Sequence, residues 1–254
     1  MKLIPIIAIL TLCNAILPPS KIVNPGEAPF FAFIDSFITF CGGTLLQTDI
    51  VLTAAHCISA MKDEEFLWVD LGLTTIPENG DEWDADEKIQ SRQVKRSRIH
   101  PEFVPDENGI QGWNDIGIIL LDEPINITEF AYPIDIGTLD PSISGAVYGL
   151  GSINSTVPTY QENLRSKKIE VIDDITCTLM LHHTKYKVTK ECQNICVRKG
   201  MCWGDSGGPF VQNNKLVGII SWGVDDIEGC DSDPFMLVRV YEWIFENIES
   251  IRVE

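Results

Sequence analysis

Short apolar runs separated by glycine, proline and other turn-forming residues recur along most of the chain. Runs of about four to eight residues with this spacing are typical of β-strands. The clearest predicted strands are residues 30–34, 43–46, 50–53, 116–121 and 216–222. One helix is predicted at the C-terminal end, where apolar residues recur at helical spacing with acidic residues between them. Its apolar positions are Val240, Trp243, Ile244, Ile248 and Ile251. The pattern therefore predicts an all-β protein with a C-terminal helix.

The N-terminal segment has the pattern of an export signal. Lys2 is followed by an apolar run from Leu3 to Leu12 and then by Cys13-Asn14-Ala15, which gives a charged start, an apolar stretch and a small residue at the cleavage site. The run is too short to span a bilayer. A core strand is the alternative, but the charged start and Ala15 favour export. We therefore predict a signal peptide at residues 1–15, a secreted, extracellular protein and no membrane-spanning helix.

The chain is strongly acidic. Its 254 residues include 19 Lys and Arg against 37 Asp and Glu, for a formal net charge of −18, and removal of residues 1–21 with Lys2 and Lys21 leaves −20. A protein of this charge is not expected to bind nucleic acid. The hydrophobic content of 44% indicates a folded chain with a sizeable core.

Three short segments carry the residue types of nucleophilic catalysis. Residues 52–57 (Leu-Thr-Ala-Ala-His-Cys) contain His56, residues 114–121 contain Asp115, and residues 204–209 (Gly-Asp-Ser-Gly-Gly-Pro) contain Ser206. A serine hydroxyl becomes a good nucleophile when an imidazole accepts its proton, and a carboxylate fixes the tautomer of that imidazole. Each segment alone is compatible with an ordinary turn or loop. Their combination, in this order, predicts a serine nucleophile with its base and its acid.

These segments resemble those of the trypsin and chymotrypsin family of secreted serine proteases, over residues 22–254. The resemblance implies two six-stranded antiparallel β-barrels with the active site between them and a crossover near residues 123–135. It implies a catalytic triad of His56, Asp115 and Ser206, with Ser221 supporting the aspartate. The backbone N–H groups of Gly204 and Ser206 would form the oxyanion hole. A lipase or esterase is disfavoured because its nucleophile motif and triad order differ.

The resemblance also implies activation by proteolysis. Residues 16–21 would be a propeptide, and a protease that cuts after Lys21 would free the amino group of Ile22 to pair with Asp205. The chain departs from the family in having Asn24-Pro25 where two glycines are usual.

Seven cysteines remain after the signal peptide, and the secretory route favours disulfides over a metal site. The family pattern implies the pairs Cys41–Cys57, Cys177–Cys196 and Cys202–Cys230. Cys192 is then left over. It is a free thiol, a competitor of Cys196 for Cys177, or a link between two chains.

The predicted specificity pocket differs from that of relatives that cut after arginine or lysine. In those relatives an aspartate lies six residues before the catalytic serine, where this chain has Gly200. Phe235 replaces a glycine that usually lines the pocket, unless it is a core residue of the strand. The expected substrate-binding residues are Gly200, Met201, Trp203, Ser221, Trp222, Gly223 and Phe235. We expect a shallow apolar pocket that accepts small or medium apolar side chains, so that the enzyme does not cut itself after Lys21.

The sequence therefore predicts a serine endopeptidase acting on proteins or peptides and open to protein protease inhibitors. A homologue that binds a partner without turnover is the alternative. No cofactor is expected. The acidic residues Glu78, Asp81, Glu82, Asp84, Asp86 and Glu87 lie in one predicted loop that binds calcium in several relatives, but Leu73 occupies the place of the first ligand, which favours a solvated loop. Two N-glycosylation sequons begin at Asn126 and Asn154.

Overall fold

The computed structural model describes residues 19–36, 39–61, 67–76, 87–105, 113–152, 154, 161–182, 184, 194–224, 230, 233–240 and 242–253. Within these residues there are thirteen strands and three helices, and no helix is long and apolar enough to cross a membrane. The elements are β1 (Lys21–Ile22), β2 (Phe31–Asp35), β3 (Phe40–Gln47), β4 (Ile50–Thr53), α1 (Ala55–Ala60), β5 (Trp68–Leu71), β6 (Gln90–Ile99), β7 (Gly117–Leu121), β8 (Gly145–Gly149), β9 (Arg165–Ile169), α2 (Asp174–Leu181), β10 (Asn194–Val197), β11 (Pro209–Gln212), β12 (Lys215–Gly223), β13 (Phe235–Arg239) and α3 (Glu242–Ser250).

The N-terminal half forms a closed six-stranded barrel. Its strands follow the order β2-β3-β4-β7-β6-β5, and all of their pairings are antiparallel. The second half forms an antiparallel sheet of seven strands in the order β1-β9-β8-β11-β12-β13-β10. Six of these, β8 to β13, are the second group of strands implied by the resemblance, and the short β1 adds a seventh at the edge beside β9.

The two sheets pack through strands that are covered on both faces. In β7, Ile119 and Leu121 point into the core of the first barrel, while Ile118 and Leu120 face an apolar cluster shared with the second sheet. That cluster also contains Leu216 and Ile219 of the second sheet. A strand buried on both faces reads as a continuous apolar run, which explains the pattern of residues 116–121.

Helix α3 closes the shared cluster on the side of the first barrel. Ile244, Ile248 and Ile251 lie in the same cluster as Leu120 of β7, so the predicted apolar stripe of the helix is its buried face. Arg98 of β6 donates to Asn247 in this helix at 2.9 Å. Helices α1 and α2 were not among the elements predicted from the pattern.

Several sequence features lie wholly or partly outside the described residues. These are the signal peptide 1–15, residues 16–18 of the propeptide 16–21, most of the acidic loop 78–87, Cys192, and the second and third positions of the sequon at Asn154. Leu73 is 2% exposed and packs in an apolar cluster with Val23 and Phe31. Asn126, the start of the other sequon, is exposed.

Candidate active site

His56 and Asp115 lie against each other at the edge of the first barrel. His56 belongs to the first turn of α1, which follows β4 directly, and Asp115 precedes β7, the strand paired with β4. His56 Nδ1 lies 2.7 Å from Asp115 Oδ2, and the His56 backbone N–H donates to Oδ1 at 2.8 Å. The N-cap residue of α1, Ala54, has no side-chain oxygen, and Asp115 supplies the acceptor for this helix start instead.

A third donor completes the surroundings of Asp115. Ser221 Oγ in β12 donates to Asp115 Oδ2 at 2.6 Å, and the aspartate side chain is only 2% exposed. Burial alone disfavours the charged carboxylate, but His56 and Ser221 outweigh it, and the pKa of Asp115 lies below its ordinary value. Burial likewise disfavours a charged His56, yet the charge and hydrogen bond of Asp115 raise the pKa of His56. The contact between Asp115 and His56 therefore stabilises the positively charged imidazolium form of His56.

Ser206 lies in the turn between Cys202 and β11, and backbone contacts to both halves of the molecule hold this turn. The Gly42 N–H donates to the Ser206 carbonyl at 2.8 Å, which ties the turn to β3 of the first barrel. The Gly207 N–H donates to the Ile220 carbonyl at 2.8 Å, which ties it to β12. Gly207 has φ +76°, and a Cβ there would come within 2.1 Å of Thr53 Oγ1, so only glycine fits.

These contacts bring together the segments that carry the three residues of the predicted triad. Ile220, which accepts from the Ser206 turn, directly precedes Ser221, which donates to Asp115. Thr53, just before the helix of His56, donates to the Gly42 carbonyl at 2.8 Å and so touches the same residue as the Ser206 turn. Sequence reasoning missed the structural roles of Gly42 and Thr53. The sign in the sequence was their position, since Gly42 directly follows Cys41 and Thr53 lies three residues before His56.

Asp205, next to Ser206, is fully buried. Its Oδ1 accepts from the Gly151 N–H and its Oδ2 from the Cys202 N–H, both at 2.9 Å. A Cβ on Gly151 would lie 2.6 Å from Oδ1, so the neighbouring backbone closes tightly on the carboxylate. Burial raises the pKa of Asp205 to about 7, although the two N–H groups partly offset this. In the described part of the chain no ion pair joins Asp205 to a basic side chain.

Ile22, the predicted partner of Asp205, lies elsewhere in the uncleaved chain. It is paired with Arg165 in the edge strand β1 and is 47% exposed. Lys21, before it, forms an ion pair with Glu27 at 2.9 Å, and hydrogen bonds from Asn24 and Lys21 hold the pKa of Glu27 at about 2.

Two residues of the predicted specificity pocket meet where β12 ends and β13 begins. Phe235 is paired with Gly223 across these strands, and a Cβ on Gly223 would lie 2.5 Å from the Phe235 ring. Phe235 is 7% exposed and shares an apolar cluster with the fully buried Met201. Gly200 and Ser221 are also buried, while Trp203 and Trp222 are half-buried. Phe235 is therefore a core residue of the strand, as one sequence interpretation has it, and its role in lining the substrate pocket stays a prediction.

The structure contains the disulfides Cys41–Cys57, Cys177–Cys196 and Cys202–Cys230. The first lies beside the active site, with Cys57 adjoining His56. Cys41, His56 and Cys57 place potential metal-ligand atoms within 4.8 Å of one another. The two sulfurs are joined to each other, however, and are not thiolates, so this cluster does not have the chemistry of a metal site.

Comparison with known proteins agrees with this geometry. The family model described as Trypsin matches residues 21–244. The chain is 31% identical over 235 residues to snake venom serine proteinase 4a of Crotalus adamanteus, covering 87% of this chain and 83% of the relative. It is 33% identical over 250 residues to mannan-binding lectin serine protease 1 of Mus musculus, covering 89% of this chain and 33% of that larger protein.

The fold also matches a solved structure. Neuropsin, a serine protease expressed in the limbic system of mouse brain, superimposes with a TM-score of 0.74 over 91% of this chain and 99% of the neuropsin chain, at 24% identity. At this identity the likeness concerns the fold. Together with the sequence matches and the arrangement around Asp115, it shows that the chain belongs to the trypsin family of serine proteases.

Proposed function

We propose that this protein is a secreted serine endopeptidase that hydrolyses peptide bonds through an acyl-enzyme formed on Ser206. The observation that carries the proposal is the triple hydrogen bonding of Asp115 by His56 Nδ1, the His56 backbone N–H and Ser221 Oγ. This arrangement fixes the imidazole with Nδ1 turned to the aspartate and Nε2 available to the serine.

In this mechanism Ser206 Oγ attacks the substrate carbonyl while His56 Nε2 takes its proton. The backbone N–H groups of Gly204 and Ser206 stabilise the developing oxyanion, each contributing about 3 kcal/mol. His56 then passes the proton to the leaving amine. Water, activated by the same imidazole, hydrolyses the ester. The raised pKa of His56 agrees with its role because the protonated ring is the intermediate state of the base.

Activity in this proposal depends on a cation that reaches Asp205. Burying a carboxylate without an opposite charge raises the free energy of the folded state. Asp205 is such a carboxylate, and Ser206 is the next residue in the same turn. The sequence offers the amino group of Ile22, freed by a separate protease that accepts lysine and cuts the precursor after Lys21.

The substrate preference follows from the pocket residues. Gly200 offers no carboxylate to a basic side chain, while Phe235 and Met201 fill the space with apolar atoms. We infer a preference for Ala, Val or Leu before the cleaved bond, and poor cleavage after large aromatic residues. A methylene in such a pocket changes discrimination by about 1 to 3 kcal/mol, so the preference is broad.

The test is a peptide-library cleavage profile, combined with labelling by a fluorophosphonate. Cleavage after small apolar residues, lost in Ser206→Ala, supports the proposal. Cleavage after Lys or Arg contradicts the inferred pocket. Absence of both cleavage and labelling, in protein whose N-terminus has been sequenced, favours the alternative of a binding homologue whose pocket is closed by Phe235.

A further inference from the structure

Lys167 is a basic residue on the inward face of β9. Side chains alternate between the two faces of a strand, so Lys167 shares its face with Ile169, which is 2% exposed in the apolar cluster of the second sheet. Lys167 is also paired with Val147 of β8, which belongs to the same cluster. The side chain of Lys167 therefore leaves the strand towards the core and is half-buried, while that of Lys168 lies on the other face and is exposed.

The ammonium group of Lys167 ends beside Gly200. A Cβ built on Gly200 would lie 2.8 Å from Lys167 Nζ, 3.0 Å from Lys167 Cδ and 2.7 Å from Ile169 Cδ1. Since a carbon–carbon bond is about 1.5 Å long, Lys167 Nζ lies within about 4.3 Å of the Gly200 Cα. A side chain at residue 200 would therefore meet a positive charge.

Gly200 belongs to the predicted substrate pocket, six residues before Ser206. The next residue, Met201, is fully buried and shares an apolar cluster with Phe235 and with Ile169, the neighbour of Lys167 on β9. Relatives that cut after arginine or lysine carry an aspartate at the place of Gly200. In this chain a cation from β9 thus lies beside the position where those relatives have an anion.

The segment just before Gly200 carries further positive charge. Arg198 and Lys199 directly precede it, in a chain whose formal net charge is −18. Asp233 offsets part of this charge, because it accepts from Arg198 Nη1 at 3.2 Å and from the Lys199 backbone N–H. Both basic side chains are exposed, whereas Lys167 approaches from the core side. Lys167 is therefore the cation of this group that lies on the same side as the apolar residues of the predicted pocket.

A carboxylate is the substrate group that fits this arrangement. An ammonium ion in partly apolar surroundings attracts an anion more strongly than the same ion does in water, and it forms a charge-assisted hydrogen bond with a carboxylate. Met201 and Phe235 restrict the accepted side chain to a small or medium size. Aspartate has the shorter of the two acidic side chains and is close in size to the apolar residues already inferred. Basic side chains are repelled by the same charge.

We propose that Lys167 is a specificity-determining residue whose ammonium group selects peptides with aspartate before the cleaved bond. The inference rests on the proposed protease function and extends its accepted side chains from small apolar residues to a small acidic one. Lys167 takes no part in the chemistry at Ser206, and its effect is confined to the choice of substrate.

The first test compares two peptides that differ only in having aspartate or asparagine before the cleaved bond, with protein cut after Lys21 whose N-terminus has been sequenced. The two side chains have nearly the same shape, so the ratio of their kcat/KM values isolates the effect of charge. We expect a ratio of about ten or more in favour of aspartate. Lys167→Gln should lower it to below about three, and Lys167→Glu to below one. Lys168→Gln removes the same charge from the exposed face of β9 and should leave the ratio within twofold of its original value.

The ratio is measured within each protein preparation, so a partial loss of folded enzyme in a variant cancels. A ratio near one in the unmodified protein, together with cleavage of an alanine peptide, would overturn the inference and leave the protease function intact. Equal decreases in Lys167→Gln and Lys168→Gln would also overturn it, because net charge would then explain the preference without any contact to Lys167.

The second test does not depend on turnover. In Ser206→Ala protein cut after Lys21, calorimetry should show the aspartate peptide binding about tenfold or more tightly than the asparagine peptide, and Lys167→Gln should remove this difference. Equal Kd values would refute the role of Lys167. A preference that depends on Lys167, in a protein whose intact Ser206 neither cleaves peptides nor reacts with a fluorophosphonate, would support the recognition of aspartate and contradict the protease function. The two proposals therefore fail separately.

Discussion

Ser221 Oγ and His56 Nδ1 bond to the same oxygen of Asp115, at 2.6 and 2.7 Å. The other oxygen of the carboxylate accepts from the His56 backbone N–H. Three donors from two different halves of the molecule therefore fix the plane of one buried carboxylate. The orientation of the imidazole depends on all three, because rotation of the carboxylate would lengthen every bond at once.

Replacement of Asp115 by asparagine should abolish most activity while preserving the fold. The amide has a single acceptor oxygen for three donors, and the imidazole would adopt the tautomer with its proton towards Ser206. We expect kcat to fall by about 10⁴-fold. Steady-state hydrolysis of an Ala-containing peptide measures this, with the exposed Asp174→Asn as the matched control. A loss below tenfold would show that Asp115 does not orient the base.

Asp205 should make the stability of the chain depend on pH when no amino group pairs with it. Its pKa is raised from an ordinary 3.8 to about 7, so the folded state binds the proton more tightly than the unfolded state. Stability is therefore greatest below pH 4 for this group and is lost as pH rises through 7, by about 4 kcal/mol.

Chemical denaturation of Ser206→Ala protein with an uncleaved N-terminal extension measures this loss between pH 4 and 8. Adding Asp205→Asn should remove the slope between pH 4 and 7. Asp70, whose pKa burial raises to about 6, contributes in an overlapping range, and Asp70→Asn should leave the slope between pH 6 and 7. An unchanged slope in the Asp205 variant would be incompatible with a buried, uncompensated carboxyl.

Phe235→Gly should enlarge the substrate pocket. Removal of the ring that lies against Gly223 opens space for a larger side chain, and the ratio of kcat/KM for Phe over Ala substrates should rise by at least about tenfold. Val238→Ala on the same strand, whose side chain packs in the cluster between the two sheets, is the control and should leave the ratio unchanged. A constant ratio in Phe235→Gly would mean that this ring does not limit the pocket.

The disulfides Cys41–Cys57 and Cys177–Cys196 should contribute similarly to stability but differently to activity. They join residues 16 and 19 positions apart, for which loop-closure entropy gives about 3 kcal/mol each. Double replacement by alanine should lower unfolding stability comparably in both cases. Catalysis should fall further in the Cys41/Cys57 variant because Cys57 adjoins His56. Equal catalytic losses would indicate a purely global effect.

The strands that the sequence predicts best are those buried on both faces. Residues 50–53 coincide with β4, and 216–222 lie within β12, because continuous apolar runs leave few alternatives. The ten-residue β6 was not predicted. It is mostly polar, with Val94 its one buried residue, and its hydrogen-bonded pairing with β5 and β7 defines it. Such non-local pairing leaves no period in the local sequence.

The candidate site divides in the same way. His56, Asp115 and Ser206 lie in short sequence motifs, so their chemistry can be predicted from the sequence alone. Gly42 holds the serine turn and is itself bonded by Thr53, while Ile22 lies at the edge of a sheet. These positions depend on contacts between distant segments of the chain. The sequence predicts a set of reacting groups, and the structure adds the contacts that hold their segments and the course of the chain from residue 19.

Two adjacent residues of β12 connect the serine turn and the aspartate, Ile220 through its carbonyl and Ser221 through its hydroxyl. The adjacent residues Ile220 and Ser221 thus position both the turn of Ser206 and the carboxylate of Asp115. Segments elsewhere in the chain can vary in length and composition without changing that alignment, since Ile220 and Ser221 are adjacent and nothing lies between them. Changes in those other segments can therefore alter which substrates bind, while the alignment of the reacting groups stays the same.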